Sequence, residues 1–445
     1  MDEIDLPRLL TFNCHEAWVH QLEYVGYHID IIDGLPGRYC CQWDLGVRPL
    51  PRNSALINLD RILDDRPAYD CIIAHNLTDL LDSKALKGPR ILVIHSTLDG
   101  RIRQHGLGME PDKLKAMVNQ YLQWLGGHAV SVSSLKGRSW NLTEDIVEFG
   151  ADVDQYHPWS GETAAGLRIS NQIQNRREIL LWEFHQTAFR DIPVKLVGFN
   201  PEMPGVLPSG NWEDLKRILS SHRFYIHTAH PELEDGYNMA TLEAMAAGLP
   251  VIGNRHPSSP IDHGVDGFLS DDPGELKQFA GLLLASRELA GKMGEAARRK
   301  VAERFSLDKF AQKFRGSVEK ARWKWTQRKV PDAYFARREL TPGEKLGLLA
   351  KGGKFLRLAT TFHDYMIRAE IDGALQALDE IMKILNLPRN REIGSAAEFA
   401  QITVEVSEYL IKLEDSRSAS LLLQALFGAV SPNLPLHADR QEFQL

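Results

Sequence analysis

The chain has 445 residues, a formal charge of −7, and 43% hydrophobic against 25% charged residues. That leaves room for two or three domains of ordinary globular composition, with no bias toward disorder or coiled coil. The acidic balance argues against nucleic acid as the main partner. No stretch approaches the ~18 uninterrupted apolar residues of a membrane span. The start, M-D-E-I-D-L-P-R-L-L, lacks the basic and apolar regions of a signal peptide, so the expected compartment is the cytoplasm. Cys14, Cys40, Cys41 and Cys71 form no C-x-x-C pair, and buried reduced thiols are expected rather than a zinc site or disulfides.

In chain order, residues 9–12 read as a strand, residues 16–26 as a helix stopped by Gly26, and residues 27–32 as a second strand. Residues 34–53, rich in Gly, Pro and Arg, read as a long loop. Strands follow at 69–75 and 90–95, each ending in a histidine, His75 and His95. In open parallel sheets ligands gather beyond the carboxyl ends of strands, so these two histidines, with Asn13 and His15 after the first strand, are candidate site residues. A helix is predicted over 111–125, a strand over 129–133, and a basic loop over 136–140. Residues 150–158 read as a linker closed by Pro158.

A second alternation follows: strands at 167–170, 194–198 and 224–228, helices at 177–189 and 212–220. The stretch E-L-E-D-G-Y-N-M-A-T-L-E-A-M-A-A-G-L-P-V-I-G-N, residues 232–254, then dominates. Asp235 lies in a loop where Gly236 permits close approach of a ligand. Asn238 caps a helix over 239–247, Gly248 suits its left-handed end, and Val251-Ile252 is a buried strand. Glu243 is the single charge on that apolar helix. Buried, it needs a partner, either an internal arginine or a ligand hydroxyl. A strand at 267–269, helices over 273–304 and a long helix over 307–329 complete this part. After Pro331 only amphipathic helices are predicted, at 341–358, 362–386 and 395–427, which pack on the body or mediate oligomerisation.

Several blocks together carry a family resemblance. They are Gly150-Ala151-Asp152-Val153-Asp154 with Tyr156 and Pro158, the Asp235…Glu243 block, Asp266-Gly267-Phe268-Leu269, and Ala297-Arg298…Phe305-Ser306. They resemble the retaining glycosyltransferases of the GT-B fold, in the large family numbered four. The resemblance implies two doubly wound Rossmann-like domains facing across a cleft: 1–157 on the acceptor side and 158–305 for the nucleotide sugar. A return helix at 306–330 and a helical extension at 331–445 follow.

It also implies transfer of a sugar from a nucleotide-sugar donor to a glycan, lipid-linked or small-molecule hydroxyl, with retention and with neither cofactor nor metal. By position, Glu243 would bind the ribose, Asp235 the sugar ring, and His95 the transferred sugar. The backbone of Gly236, Tyr237, Asn238, Met239 and Ala240 would cradle the diphosphate at a helix start. The sequence departs from the family where Asn171 and Arg176 stand in place of a paired Arg and Lys, and where Asp235 is one methylene shorter than glutamate. A catalytically weakened binding module is therefore the rival reading. Asp152-Val153-Asp154 spells a metal-binding D-x-D, but it falls in the linker. Two basic runs, 101–103 and 136–140, offer a surface to an anionic membrane, against the plainer reading of a solvated face.

Overall fold

The computed structural model describes residues 6–35, 40–105, 111–335, 352–367, 371–385, 387, 402–407, 410, 418 and 422. Two parallel sheets organise them. The first comprises β1 (Arg8–Phe12), β2 (His28–Ile32), β3 (Ser54–Ile57), β4 (Cys71–Ala74), β5 (Arg90–Ile94) and β6 (His128–Ser131), in the order β3-β2-β1-β4-β5-β6. The second comprises β7 (Thr163–Ile169), β8 (Val194–Val197), β9 (His222–His227), β10 (Val251–Gly253) and β11 (Gly267–Leu269), in the order β11-β10-β9-β7-β8. Strand alternates with helix except between β2 and β3 and between β10 and β11, because apolar runs buried on both faces need helices on both sides.

The helices are α1 (Glu16–His20), α2 (Leu59–Asp65), α3 (Leu77–Asp82), α4 (Leu98–His105), α5 (Pro111–Leu125) and α6 (Ser134–Ser139) in the first unit. The second has α7 (Trp182–Ala188), α8 (Trp212–Ser221), α9 (Met239–Ala246), α10 (Pro273–Ala285) and α11 (Arg287–Arg304). α12 (Leu307–Thr326) then returns to the first unit, where Phe310 and Phe314 meet the ring of Trp18 edge-on.

Three readings need correction. β3 lies just past the presumed loop, where no element was predicted, as a short edge strand whose Leu56 stays exposed. The helix predicted over 177–189 begins only at Trp182, because Leu181 adopts a left-handed conformation (φ 47°) and breaks the turn before it. Residues 136–140 are not a loop: most lie in α6, capped by Ser133, whose side chain accepts from Lys136 N. Gly137, which lowers helix propensity, is needed there because a Cβ would stand 2.8 Å from the Leu142 carbonyl.

α9 follows the sequence closely. Asn238 and Thr241 form a capping box, and Gly248 takes φ 85° after the last turn. β10 pairs parallel with β9, so α9 is the crossover between them: it packs on both strands and starts beyond the carboxyl end of β9. Its neighbour α11 approaches so closely that a Cβ on Gly294 would lie 1.9 Å from the Gly248 carbonyl oxygen. Gly294→Ala is accordingly expected to destabilise by about 1–3 kcal/mol through forced backbone separation, read as a lower urea midpoint.

In the extension, α13 (Gly352–Ile367) and α14 (Ile371–Ile384) form an antiparallel pair. The break expected between 358 and 362 does not occur. Phe355, Ala359, Phe362 and Met366 make one buried stripe, and the hydroxyls of Thr360 and Thr361 bond back to the carbonyls of Leu356 and Arg357. These residues share an apolar cluster with α3 and α5, and Lys84 Nζ donates to the Val404 carbonyl at 2.9 Å. Most of the helices predicted at 341–358 and 395–427 lies outside the described residues.

Candidate active site

The first wall of the cleft is built from strand ends. Asn13, after β1, donates from Nδ2 to Asp33 at 3.2 Å and is buried. His15 caps the turn into α1 through its carbonyl and keeps an exposed ring. The dense protein around that ring, and then the charge of Arg48, lower its pKa to about 4. His75 and His95, after β4 and β5, touch one another: Nδ1 of His75 lies 2.9 Å from Nε2 of His95. Trp18 sets its edge against both rings. Desolvation lowers both, His75 to about 3, so both imidazoles are neutral across the physiological range.

The opposite wall comes from the loop before α9. Asp235 is 1% exposed, with its carbonyl accepting from His227 Nε2 at 3.0 Å. Gly236 is constrained by protein rather than by a ligand: a Cβ there would lie 2.7 Å from the His256 ring, and its N–H donates to Ser258 Oγ. Tyr237 turns away, burying its ring against Phe305 and donating to Glu148 at 3.0 Å. The Asn238 N–H is taken by Thr241. Of the predicted cradle, Met239 and Ala240 keep first-turn N–H groups that no helical carbonyl can reach. Asn171 lies exposed and accepts from Phe199 N, tying two loops together without supplying charge. Arg176 does join the site, 3.0 Å from Glu234.

Two side chains that sequence reasoning did not assign to the site, Lys136 and Arg48, hold these walls together. Lys136, read as a surface residue, is buried: its Nζ lies 3.0 Å from both Glu234 Oε1 and Asp235 Oδ2. Trp140 is buried too, which leaves Arg138 as the one exposed cation of the 136–140 run. Burial alone would push Glu234 up; Lys136 and Arg176 reverse that and hold it at about 2. Arg48, from the long loop after β2, crosses to the second unit, where its Nη2 donates to Glu243. Its guanidinium lies 3.5 Å from the ring centroid of Trp212, on α8. Of the two partners open to Glu243 in sequence, the internal arginine is the one this structure shows. Burial raises the Glu243 pKa, and Arg48 opposes the rise. Lys136 and Arg48, paired with carboxylates of the second unit, also lower the basicity of His95 and His15, so both walls belong to one electrostatic site.

Cys14 Sγ and the nitrogens of His75 and His95 lie within 4.8 Å of one another, the one group among the described residues with metal-ligand spacing. Burial holds the thiol protonated and the imidazoles bond each other, so an ion would have to break both arrangements. A cavity of about 610 Å³ lies elsewhere, along α7 and the edge strand β8, and contains none of the predicted residues. No described helix is long and apolar enough to cross a membrane.

Comparison with known proteins bears on the fold and on part of the second unit. Residues 190–286 match the family described as Glycosyl transferases group 1. N-acetyl-alpha-D-glucosaminyl L-malate synthase of Bacillus anthracis is 36% identical over 198 residues, 39% of this chain and 51% of that protein. Amylovoran biosynthesis glycosyltransferase AmsK of Erwinia amylovora is 35% identical over 96 residues, 20% of this chain and 21% of its own. The chain thus spans between a fifth and about half the length of these curated relatives. Among solved structures, Anabaena HepE in complex with UDP and glucose superposes with a TM-score of 0.50 at 13% identity, covering 70% of this chain and 99% of that one. Sucrose-phosphate synthase from Thermosynechococcus elongatus gives 0.50 at 13%, covering 69% and 97%. The two-sheet architecture is that of the GT-B glycosyltransferases, and within it residues 190–286 are similar to the Glycosyl transferases group 1 family.

Proposed function

We propose that the protein is a retaining glycosyltransferase that moves a sugar from a nucleoside-diphosphate sugar to a hydroxyl of a glycan or lipid-linked acceptor. The observation that carries this reading is the pair of carboxylates Asp235 and Glu243, flanking the start of α9 and engaged by cations from the opposite wall. An ionised acceptor such as Glu243 suits two vicinal ribose hydroxyls. The start of α9, with Arg176 and Lys136 beside it, suits a departing diphosphate, whose charge protein cations and amides stabilise without a metal. The names of the matching relatives, a glucosaminyl malate synthase and an amylovoran glycosyltransferase, support the reaction class.

The test is a thermal-shift screen of nucleoside diphosphates and their sugars. It is followed by donor hydrolysis or transfer read by proton NMR, which reports the anomeric configuration of the first-formed product. Activity unchanged by EDTA supports the metal-free step. Absence of any nucleotide-sugar binding overturns the reading.

In this reading Arg48 competes with the nucleoside for Glu243, and the donor binds only when Arg48 has swung out. Arg48→Ala is therefore expected to tighten donor binding at pH 8. The gain would be about tenfold if the arginine is displaced a tenth of the time in the wild type. Calorimetric titration decides it: weaker binding would make Arg48 a donor ligand instead. The seated Arg48 and the neutral Asn171 also favour a second reading, a GT-B module that binds a nucleotide sugar without turning it over. Donor binding without transfer or hydrolysis would establish it.

A further inference from the structure

The buried pair His75 and His95 leaves one question open, namely which nitrogen of His95 carries its proton, and the surrounding hydrogen bonds answer it. Thr11, fully buried on β1, places Oγ1 2.8 Å from His75 Nε2, and this is its one side-chain hydrogen bond among the described residues. Were His75 to donate from Nε2, the threonine hydroxyl proton would be buried without an acceptor, at the full desolvation cost of that group. The hydroxyl therefore donates, and Nε2 of His75 accepts. A neutral imidazole with Nε2 as acceptor carries its proton on Nδ1. That proton points along the 2.9 Å bond to Nε2 of His95, which must accept. His95 then carries its own proton on Nδ1, the nitrogen with no protein partner among the described residues, on a ring that is part exposed. The lowered basicity of both rings agrees with two neutral imidazoles sharing one hydrogen bond. The backbone of His75 is fixed as well, its N–H donating to Asp79 Oδ2 at 2.9 Å.

We infer that Thr11 and His75 are positioning residues that lock His95 in its Nδ1–H tautomer, making it a hydrogen-bond donor to a sugar oxygen in the cleft. The chain of donors runs from a hydroxyl on β1, through the end of β4, to the end of β5. It spans three adjacent strands of the first sheet. Trp18, edge-on to both rings, keeps either from rotating out of line. The tautomer follows from hydrogen-bond accounting alone; its consequence for transfer rests on the function proposed above.

Histidine ¹⁵N spectra of the full-length protein test the first part directly. The expected result is a His95 with a protonated Nδ1 and an unprotonated Nε2, and the reverse pattern overturns the inference. Thr11→Val removes the hydroxyl at nearly constant volume, and His95 is then expected to populate both tautomers, whereas Thr11→Ser keeps the wild-type spectrum. Unchanged His95 signals in Thr11→Val would also overturn it. With a donor and acceptor in hand, Thr11→Val is expected to lower kcat about tenfold at nearly constant KM, with serine restoring it. A protein with the expected tautomer and no transfer in any variant would leave the assignment standing and remove the functional reading.

Discussion

Lys136→Met is expected to lower the stability of the protein by about 3–5 kcal/mol, the range for removing one partner of a buried ion pair. The ammonium is 4% exposed and lies 3.0 Å from two carboxylates, Glu234 and Asp235, of which Asp235 is 1% exposed. Methionine fills the volume, so the loss reads as charge and not as cavity. Arg176 remains for Glu234, but nothing comparable remains for Asp235. The sign of the pH dependence follows from Glu234, held at about 2 against an ordinary 4.5. Its contribution is fully present above about pH 4.5 and is lost as the pH falls toward 2. The gap between wild type and Lys136→Met in urea unfolding should therefore be widest near neutrality and narrow in acid. A gap that stays constant down to pH 3 would show that the ion pairs are not its source.

Glu243→Ala has two expected effects, and a double variant separates them. Donor affinity should fall about a hundredfold, as expected for charged hydrogen bonds to two ribose hydroxyls. Stability should fall too, because Arg48 is left buried without a carboxylate, keeping only the Val47 carbonyl and the ring of Trp212. In Glu243→Ala with Arg48→Ala no uncompensated charge remains, so most of the stability returns while the affinity does not. Calorimetric titration with nucleoside diphosphates and denaturation of the three variants provide both readouts. Unchanged nucleotide affinity in Glu243→Ala would leave the residue with a purely structural role opposite Arg48.

How much of this was legible in the sequence follows from the range of each interaction. α9 was readable to within a residue because its cap, its apolar body and its glycine stop are local, and local signals need no knowledge of the fold. The two sheets were readable because buried parallel strands are continuous apolar runs. β3 was missed because an edge strand of four residues with an exposed leucine lacks that signature. The site was half legible. Asp235, Glu243 and the strand-end histidines announce themselves by residue type and position. Their cationic partners do not: Arg48 lies 195 positions from Glu243 in an irregular loop. Lys136 sits beside a glycine in what reads as an exposed basic patch. One sequence-level signal was available, since two buried carboxylates require cationic partners somewhere in the fold. Gly236 was read as making room for a ligand, when the room is filled by His256.

The pairs at the centre of the cleft share a polarity. The first unit supplies the cations, Arg48 and Lys136, and the second supplies the anions, Glu243, Glu234 and Asp235. Such a cleft behaves as an ion exchanger. An incoming diphosphate offers negative charge to Lys136 while its nucleoside displaces Arg48 from Glu243, so the donor enters by exchanging places with the contacts that now hold the two halves together. Dissolved salt competes for those cations in the same way. Cleft opening and donor entry should consequently rise together with ionic strength at first, until screening weakens the donor's own hold.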